Sequence, residues 1–513
     1  MFWLNDVISI MYPEFLILIA IILAIFLSTT KTLKNIIWIL SVMFMFAGII
    51  HIFKYQLNSK LPVEILNGAF ISDDLSNVFR LITLASAILI VLGSVKYCEG
   101  FIHKSEFMIL LLAAVLGIMI LVSANDLVTL FVALETLGLS SIMLAGYSKY
   151  DQRSNEASIK YLLNSASASA IFLFGLSILY GLCGSTHLPE IKYTLFHLAA
   201  SGNINQTLIL LILACIIGGL GFKLATCPFH MWSPDVYEGA PTPTTAFLSV
   251  ASKAAGLAIS IRLLFYVFDF AVNIWQPIII ILAVLSMTVG NFVALAQVLN
   301  KASIKRLMAY SSIAQIGYIL LGLALAKPET VSASIFYLLI YSFMNLCAFL
   351  CIIAFGNEAD SDLIEDYSGL ARKRPFIAFA LAISLFNLSG LPLPPAGFIA
   401  KFILFKASFE AGFIGIVLGT IGLLTTIISI YYYLYIAKVM IVNEPSHAVS
   451  NIDSNKNALG SSNELNAAIS FALASMFILS LISNPILQFS NKTTTNLSNK
   501  SQLISLKKTN NCN

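Results

Sequence analysis

Five charged residues stand inside otherwise apolar sequence: Glu135 in FVALETLGLSS, Lys160 in SNEASIKYLL, Lys223 in GFKLAT, Lys253 in SVASKAAG and Lys401 in AGFIAKFILF. A lysine at the centre of a bilayer helix costs roughly 2.5–3.5 kcal/mol, so such a residue needs a partner or a water path. Burial disfavours the charged form of a lysine or a carboxylate, whereas pairing Glu135 with Lys160 or Lys223 favours it. Groups balanced between those two effects change protonation when the pairing changes, and one acid with four lysines therefore suits a proton relay. A single one of them, Lys160 above all, could instead snorkel to a membrane face. Two weaker candidates accompany the set. His230 either relays protons or caps a chain break, and Gln315, in AYSSIAQIGY, is a neutral hydrogen-bond partner or water holder.

Two of the lysines adjoin breaks. Pro228, Pro234, Pro241 and Pro243 lie between Lys223 and Lys253, and Pro392, Pro394 and Pro395 precede Lys401. Proline removes a backbone donor and interrupts a helix, and the freed carbonyls are tolerated within a membrane only where they line a cavity or are covered by neighbours. Broken helices with ionisable residues are the device by which transporters bind ions. The serines of SASASA at 165–170 and the glycines of IIGGLG at 216–221 suit close helix packing.

The elements that must carry these residues are membrane helices. The chain has 513 residues, 58% hydrophobic and 11% charged, with a mean hydropathy of +0.90. Apolar runs of about 18 residues or more fall near 13–30, 35–53, 76–97, 106–123, 125–147, 157–183, 206–233, 242–268, 274–299, 304–326, 331–356, 375–408, 411–440 and 466–489. The expectation is an all-α integral membrane protein with about 14 transmembrane helices. The cations Lys31, Lys34, Lys96, Lys104, Lys149, Arg153, Lys301, Lys305, Arg306, Arg372, Lys373, Arg374 and Lys438 all fall on one side, which should be the cytoplasm or its organellar equivalent. Both ends then face the other compartment, and the polar tail from Asn491 is expected to be disordered. The blocks at 106–268 and 269–440 each hold five runs with a proline-broken fourth. Five is odd, so the two would form inverted repeats, preceded by a three-helix segment at 1–105 and followed by a loop, a last helix and a tail at 441–513.

Other classes are excluded. The net charge of +4 is spread over connecting loops without a basic cluster, which argues against nucleic acid. The seven cysteines contain no CxxC, and Cys347 with Cys351 reads as two small buried residues. No phosphate loop or nucleotide fingerprint is present, so any redox centres belong to other chains and no cofactor or metal is expected in this one. Asp6 and Glu14 precede the first cation, unlike a signal or transit peptide, and the first run is expected to be retained.

ANDL at 124–127, LET around Glu135, SNEASIKYLL, GFKLATCPFHMWSPDVYEGAPTP and SKAAG resemble the antiporter-like membrane subunits of respiratory complex I, in particular the subunit N branch. RSNEASIKYLL, AQIGY, IYYYLYIAKVM and SNPI are most similar to its photosynthetic form. The similarity covers nearly the whole chain, fading at 441–465 and in the tail. It implies that Glu135 and Lys223 are the coupled acid and lysine of one half-channel, Lys253 the central relay, Lys401 the terminal lysine of the other half-channel and Lys160 an accessory group. Bacterial members often carry histidine where Gln315 stands. QVLNKASIKR at 297–306 and SGLPLPPAGF at 389–398 are longer than the commonest family spacing, the second beside Lys401. The resemblance further implies a complex with other membrane and peripheral subunits, in which NAD(P)H or ferredoxin reduces plastoquinone through iron–sulfur clusters on those subunits. The Asn-, Lys- and Ile-rich composition favours a plastid thylakoid membrane over a bacterial one. The different reading is a stand-alone cation/proton antiporter, and the blandest is a scaffold whose relay has decayed.

Overall fold

The computed structural model describes residues 7–29, 36–57, 62–202, 205–359, 361–393, 395–452 and 462–509, with side chains to residue 497. Lys31, Lys34 and Pro394 lie outside the described residues. The chain is a layered bundle of helices that cross back and forth: α1 (Tyr12–Ser28), α2 (Ile36–His51), α3 (Asp74–Tyr97), α4 (Lys104–Val122), α5 (Leu127–Ala145) and α6 (Gln152–Cys183). The lateral helix α7 (Leu188–Ala200) follows, then α8 (Gln206–Leu224) and α9 (Trp232–Gly239) as two halves of one broken crossing. α10 (Thr242–Ser260) runs on into a π-helical segment, Ile261–Val267. After it come α11 (Val272–Leu299), α12 (Ile304–Ala324) and α13 (Pro328–Ala359), the second broken crossing α14 (Pro375–Ser389) and α15 (Ala396–Glu410), then α16 (Phe413–Ile441), α17 (Asn463–Leu481) and α18 (Ser483–Thr509).

Among the described residues, twelve helices, some extended by short 3-10 or π turns, are long and apolar enough to cross a membrane, and Tyr12–Ser28 and Pro375–Ser389 are shorter apolar helices. Each of the fourteen predicted runs falls on one of these fourteen apolar helices. Helix starts are set by side chains that satisfy the free first-turn amides. Asp126 accepts from Val128 and Thr129 N at the start of α5, and Asp73 and Ser76 form a reciprocal capping box on α3. Pro234 and Pro243 lie near the starts of α9 and α10, where a missing N–H is harmless. The first break is therefore shorter than its four prolines suggest, running from Ala225 to Met231.

The core lies around α10, α12 and α13. The apolar window of the crossing Thr242–Val267 is 100% buried, against 22% for α6 and 33% for α16, which face outward. Among the described residues, the one small sheet in this helical chain is the hairpin β1 (Val63–Ile65) and β2 (Phe70–Ser72), antiparallel, with Asn125 Nδ2 donating to the Gly68 carbonyl at its turn.

The tail departs from expectation. Asn491 is not the start of a disordered end but lies within α18. Thr493, Thr494 and Thr495 turn their hydroxyls onto carbonyls one turn back, Ser332 Oγ donates to Asn491, and Asn496 Nδ2 donates to Asp74 at 2.8 Å. Polar composition forms a helix here because its side chains bond the starts of α13 and α3, on the side opposite the cations.

A candidate proton relay through the two broken helices

α8 ends at Leu224, Ala225 turns into the left-handed region at φ 56°, and the chain resumes as α9 at Trp232. The carbonyls freed by this break are taken up locally. Thr226 N donates to the Gly221 carbonyl at 2.9 Å, Trp232 Nε1 to the Phe222 carbonyl at 3.1 Å, and Cys227 N to Ser286 Oγ of α11 at 2.9 Å. Lys223, one residue before the end of α8, is left without any of them. Its side chain is 6% exposed, its stem packs on Gly256 of α10, and it has no hydrogen-bond partner among the described residues.

Lys223 instead faces an open-sided cleft that it shares with Glu135, Ser165, Ser169, Phe172 and Gly219. Glu135, half-buried on α5, accepts a hydrogen bond from Ser169 Oγ. The acid and the lysine share the cleft without an ion pair among the described residues, so the direct pairing expected from sequence is not made. The small residues build this geometry. A Cβ at Gly219 would meet Phe172 Cβ at 2.5 Å, so glycine brings α8 onto α6, as the glycine run predicted, while Ser165 and Ser169 of the serine run line the cleft as polar groups.

Lys253, on α10, is 1% exposed, and its Nζ donates to Ser312 Oγ at 2.8 Å and to the Ser312 carbonyl at 3.1 Å. One turn further along α12, Gln315 Nε2 donates to the Leu388 carbonyl at 3.1 Å, and its Oε1 accepts from Tyr337 OH. Leu388 is the second-last residue of α14, so its carbonyl is freed by the second break. Its carbonyl also accepts from Lys401 Nζ at 3.0 Å, and the Ser389 carbonyl accepts from the same nitrogen at 3.1 Å. Lys401 is 4% exposed, and its Nζ lies 4.9 Å from the centre of the Tyr318 ring.

Two devices open the second break toward Lys401. Gly390 caps α14 at φ 85°, and a Cβ there would meet Lys401 Cδ at 2.8 Å, so glycine is required both by the backbone and by the approach of the side chain. Asn387 Oδ1 accepts from Gly397 N at 3.0 Å, which ties the start of α15 back to the end of α14. A polar path therefore runs from Lys253 through Ser312, along one turn of α12 to Gln315, and through the Leu388 carbonyl to Lys401.

Lys160 does not join this path. Its side chain is 42% exposed at the cation-rich end of α6 and pairs with Glu156 and Asp235 at 2.7 Å each. Asp235 also pairs with Arg306 at 3.1 Å, and Arg306 with Glu238 at 2.8 Å. The burial expected from its apolar context fails because Lys160 lies close to the helix start, within reach of α9, where Tyr161 stacks on Trp232 at 4.6 Å. His230 is buried within the first break with its ring 6.5 Å from Tyr310. Sequence reading missed Glu156, Asp235, Glu238 and Arg306, which sit at run ends where charge is unremarkable. It missed Ser312 and the Leu388 carbonyl because serine is common in helices and a carbonyl carries no sequence signal.

A family model described as NADH:quinone oxidoreductase/Mrp antiporter, TM, matches residues 124–429, which hold every residue of this path. The NAD(P)H-quinone oxidoreductase subunit 2 of Nostoc sp. (strain PCC 7120) is 43% identical over 94% of this chain and 92% of that protein. The chain belongs to the NAD(P)H-quinone oxidoreductase subunit 2 family. A second relative in it, named as chloroplastic and from Chlorokybus atmophyticus, is 49% identical over 74% of this chain and 72% of its own length. Among solved structures, a chain of respiratory complex I from Thermus thermophilus superposes with a TM-score of 0.73 at 27% identity, over 93% of this chain and 98% of that one. A chain of the Mrp complex from Dietzia sp. gives a TM-score of 0.83 at 22% identity, over 97% and 98%, and speaks to the fold. The resemblance drawn from the motifs is thus borne out at the level of family and fold.

Proposed function

We propose that this chain is a proton-translocating membrane subunit of a quinone oxidoreductase, and that Glu135, Lys223, Lys253 and Lys401 are its relay. The observation that carries the proposal is the path Lys253–Ser312–Gln315–Leu388 carbonyl–Lys401, which runs from the buried lysine of α10 to the second helix break through buried polar groups inside an apolar bundle. Lys223 and Glu135 share a separate cleft beside the first break, and water there would bridge them nearly as well as direct contact. A change of charge at the quinone-reducing end alters the balance between Glu135 and Lys223, Lys223 gives up its proton toward Lys253, and the charge moves on to Lys401. Moving one charge against 100 mV takes about 2.3 kcal/mol, comparable to protonation-equilibrium shifts of about two units at 1.36 kcal/mol per unit. His230 and Gln315 are accessory, Gln315 as the fixed bridge of the path, and Lys160 acts at the cation-rich surface.

The two five-helix blocks, 106–268 and 269–440, serve as the two half-channels. Their crossings alternate so that the second block begins on the side where the first ends, which suits inverted repeats. The chloroplastic and cyanobacterial names of the relatives support a plastid thylakoid membrane and plastoquinone as acceptor, with NAD(P)H or ferredoxin oxidised by peripheral subunits that hold the iron–sulfur clusters. The fold likeness to an Mrp complex favours one second reading, a cation/proton antiporter working without redox partners. Native separation of mildly solubilised membranes, with mass spectrometry of the co-migrating chains, separates the two. Quinone-reducing iron–sulfur subunits are expected with this chain. Migration alone or with small antiporter partners would overturn the redox assignment.

A further inference from the structure

The relay leaves unused a second set of buried charges, on the side opposite the cations. Arg262 follows Lys253 on the same continuous helix, in the π-helical segment Ile261–Val267. Its Nη1 and Nη2 donate to Asp73 Oδ2 and Oδ1 at 3.0 Å each, and Nη2 also donates to the Val122 carbonyl at the end of α4 at 3.1 Å. The Asp73 carboxylate caps α3 as well, accepting from Ser76 N at 2.8 Å. Further along α3, Arg80 pairs with Glu14 of α1 at 2.9 Å and donates to Gln56 at 3.1 Å and Asn77 at 3.2 Å. All four charged side chains of this alternating series, Glu14, Arg80, Asp73 and Arg262, are buried. The other end of the π segment is held from a different element. Buried Lys192 of α7 donates to the Tyr266 carbonyl at 2.8 Å and pairs with Asp269 at 2.7 Å.

Buried ion pairs are a weak source of stability, and their best-attested use is to fix a geometry. A bidentate guanidinium–carboxylate pair fixes orientation as well as distance. A π segment adds slack to a helix and is frequent at functional sites, and this one lies in the helix whose lysine must stay on Ser312. The three N-terminal helices contribute none of the relay groups, yet they hold this turn through Asp73.

We propose that the Asp73–Arg262 pair, backed by Arg80–Glu14 and by Lys192, is a positioning lock that fixes the rotation of α10 and so keeps Lys253 in register with Ser312. The N-terminal three-helix segment acts on proton transfer through this lock. The inference rests on Lys253 being part of the relay.

The test uses the assembled complex in sealed vesicles, with protons moved per electron read separately from quinone reduction and from the amount of complex. Asp73→Asn is expected to lower the proton-to-electron ratio by about threefold or more, with quinone reduction within about twofold, and Asp73→Glu, which keeps the charge, to recover at least half of the lost ratio. A purely structural role would lower the amount of complex and leave the ratio alone, so an unchanged ratio in assembled Asp73→Asn complex overturns the lock. If that variant does not assemble, Lys192→Met decides by the same ratio, a fall of about threefold supporting the lock and no change overturning it. Lys253→Ala is measured alongside. Intact pumping there removes the relay itself, which distinguishes failure of the relay from failure of the lock.

Discussion

The two broken helices solve the same problem in opposite ways. In the first, the break consumes its own freed carbonyls through Thr226 and Trp232, and Lys223 is left facing a cleft with a carboxylate on it. In the second, the break hands two carbonyls, those of Leu388 and Ser389, to Lys401. The first lysine depends on an acid that can itself gain or lose a proton, whereas the second rests on backbone dipoles that cannot. In the proposed relay, the half with the acid is the one able to respond to a distant charge, and the half with carbonyls is a fixed receiver. Gln315 holds one of the same two carbonyls, that of Leu388, and so belongs with the second break.

Variants can break or sharpen this contrast. The largest effect is expected from Glu135→Gln, which keeps the Ser169 contact but removes the titration. Proton movement should fall by more than about tenfold, the scale of losing a positioned acid or base, while the complex still assembles. Gln315→Leu removes the bridge and leaves the Tyr337 hydroxyl without its acceptor, at about 1–3 kcal/mol. Pumping should fall severalfold, whereas Gln315→His, which retains a donor to the Leu388 carbonyl, should stay near the parent.

Gly390→Ala compared with Gly184→Ala isolates the approach of Lys401. Both glycines have positive φ, at 85° and 69°, but only Gly390 faces Lys401, while Gly184 has nothing within 4 Å. Each substitution should destabilise by about 1–2 kcal/mol from backbone strain, seen as a lower melting temperature, and only Gly390→Ala should slow proton movement. Lys160→Ala should change pumping by less than about twofold, since partly exposed pairs contribute about 0–1 kcal/mol. A tenfold loss there would put the Glu156–Asp235–Arg306 cluster inside the relay.

The smallest effect concerns pH. Burial pushes the Asp73 carboxyl up, but Arg262 and the Ser76 amide outweigh it and hold it below its usual range. A carboxyl lowered in the folded state contributes stability that is full above the unfolded value, about 3.9, and is lost as pH falls through the folded one. Detergent-solubilised Asp73→Asn protein should therefore be less stable near neutrality, with the difference narrowing as the pH drops below about 4.

The crossings and both breaks were legible in the sequence because a bilayer penalises charge and unpaired backbone so heavily that Lys223, Lys253, Lys401 and the prolines stand out. Lys160 misled because apolar context alone does not locate a residue along its helix, and about two turns from the start of α6 its long side chain still reaches Asp235 on α9. Arg262 and Asp73 went unread for the complementary reason, since charges near run ends look like ordinary boundaries until the fold buries them against each other. The tail misleads because polar composition reads as disorder, although Asn491 and Asn496 find partners on α13 and α3. Which groups would accept the lysines' protons was not legible, because Ser312 is one serine among many and the Leu388 acceptor is backbone.

The most direct test of the relay is the proton-to-electron ratio of the assembled complex carrying Lys223→Ala, measured in sealed vesicles with quinone reduction followed in parallel. The relay predicts a complex that assembles and still reduces quinone but moves almost no protons through this subunit. A ratio equal to that of the parent complex would contradict it.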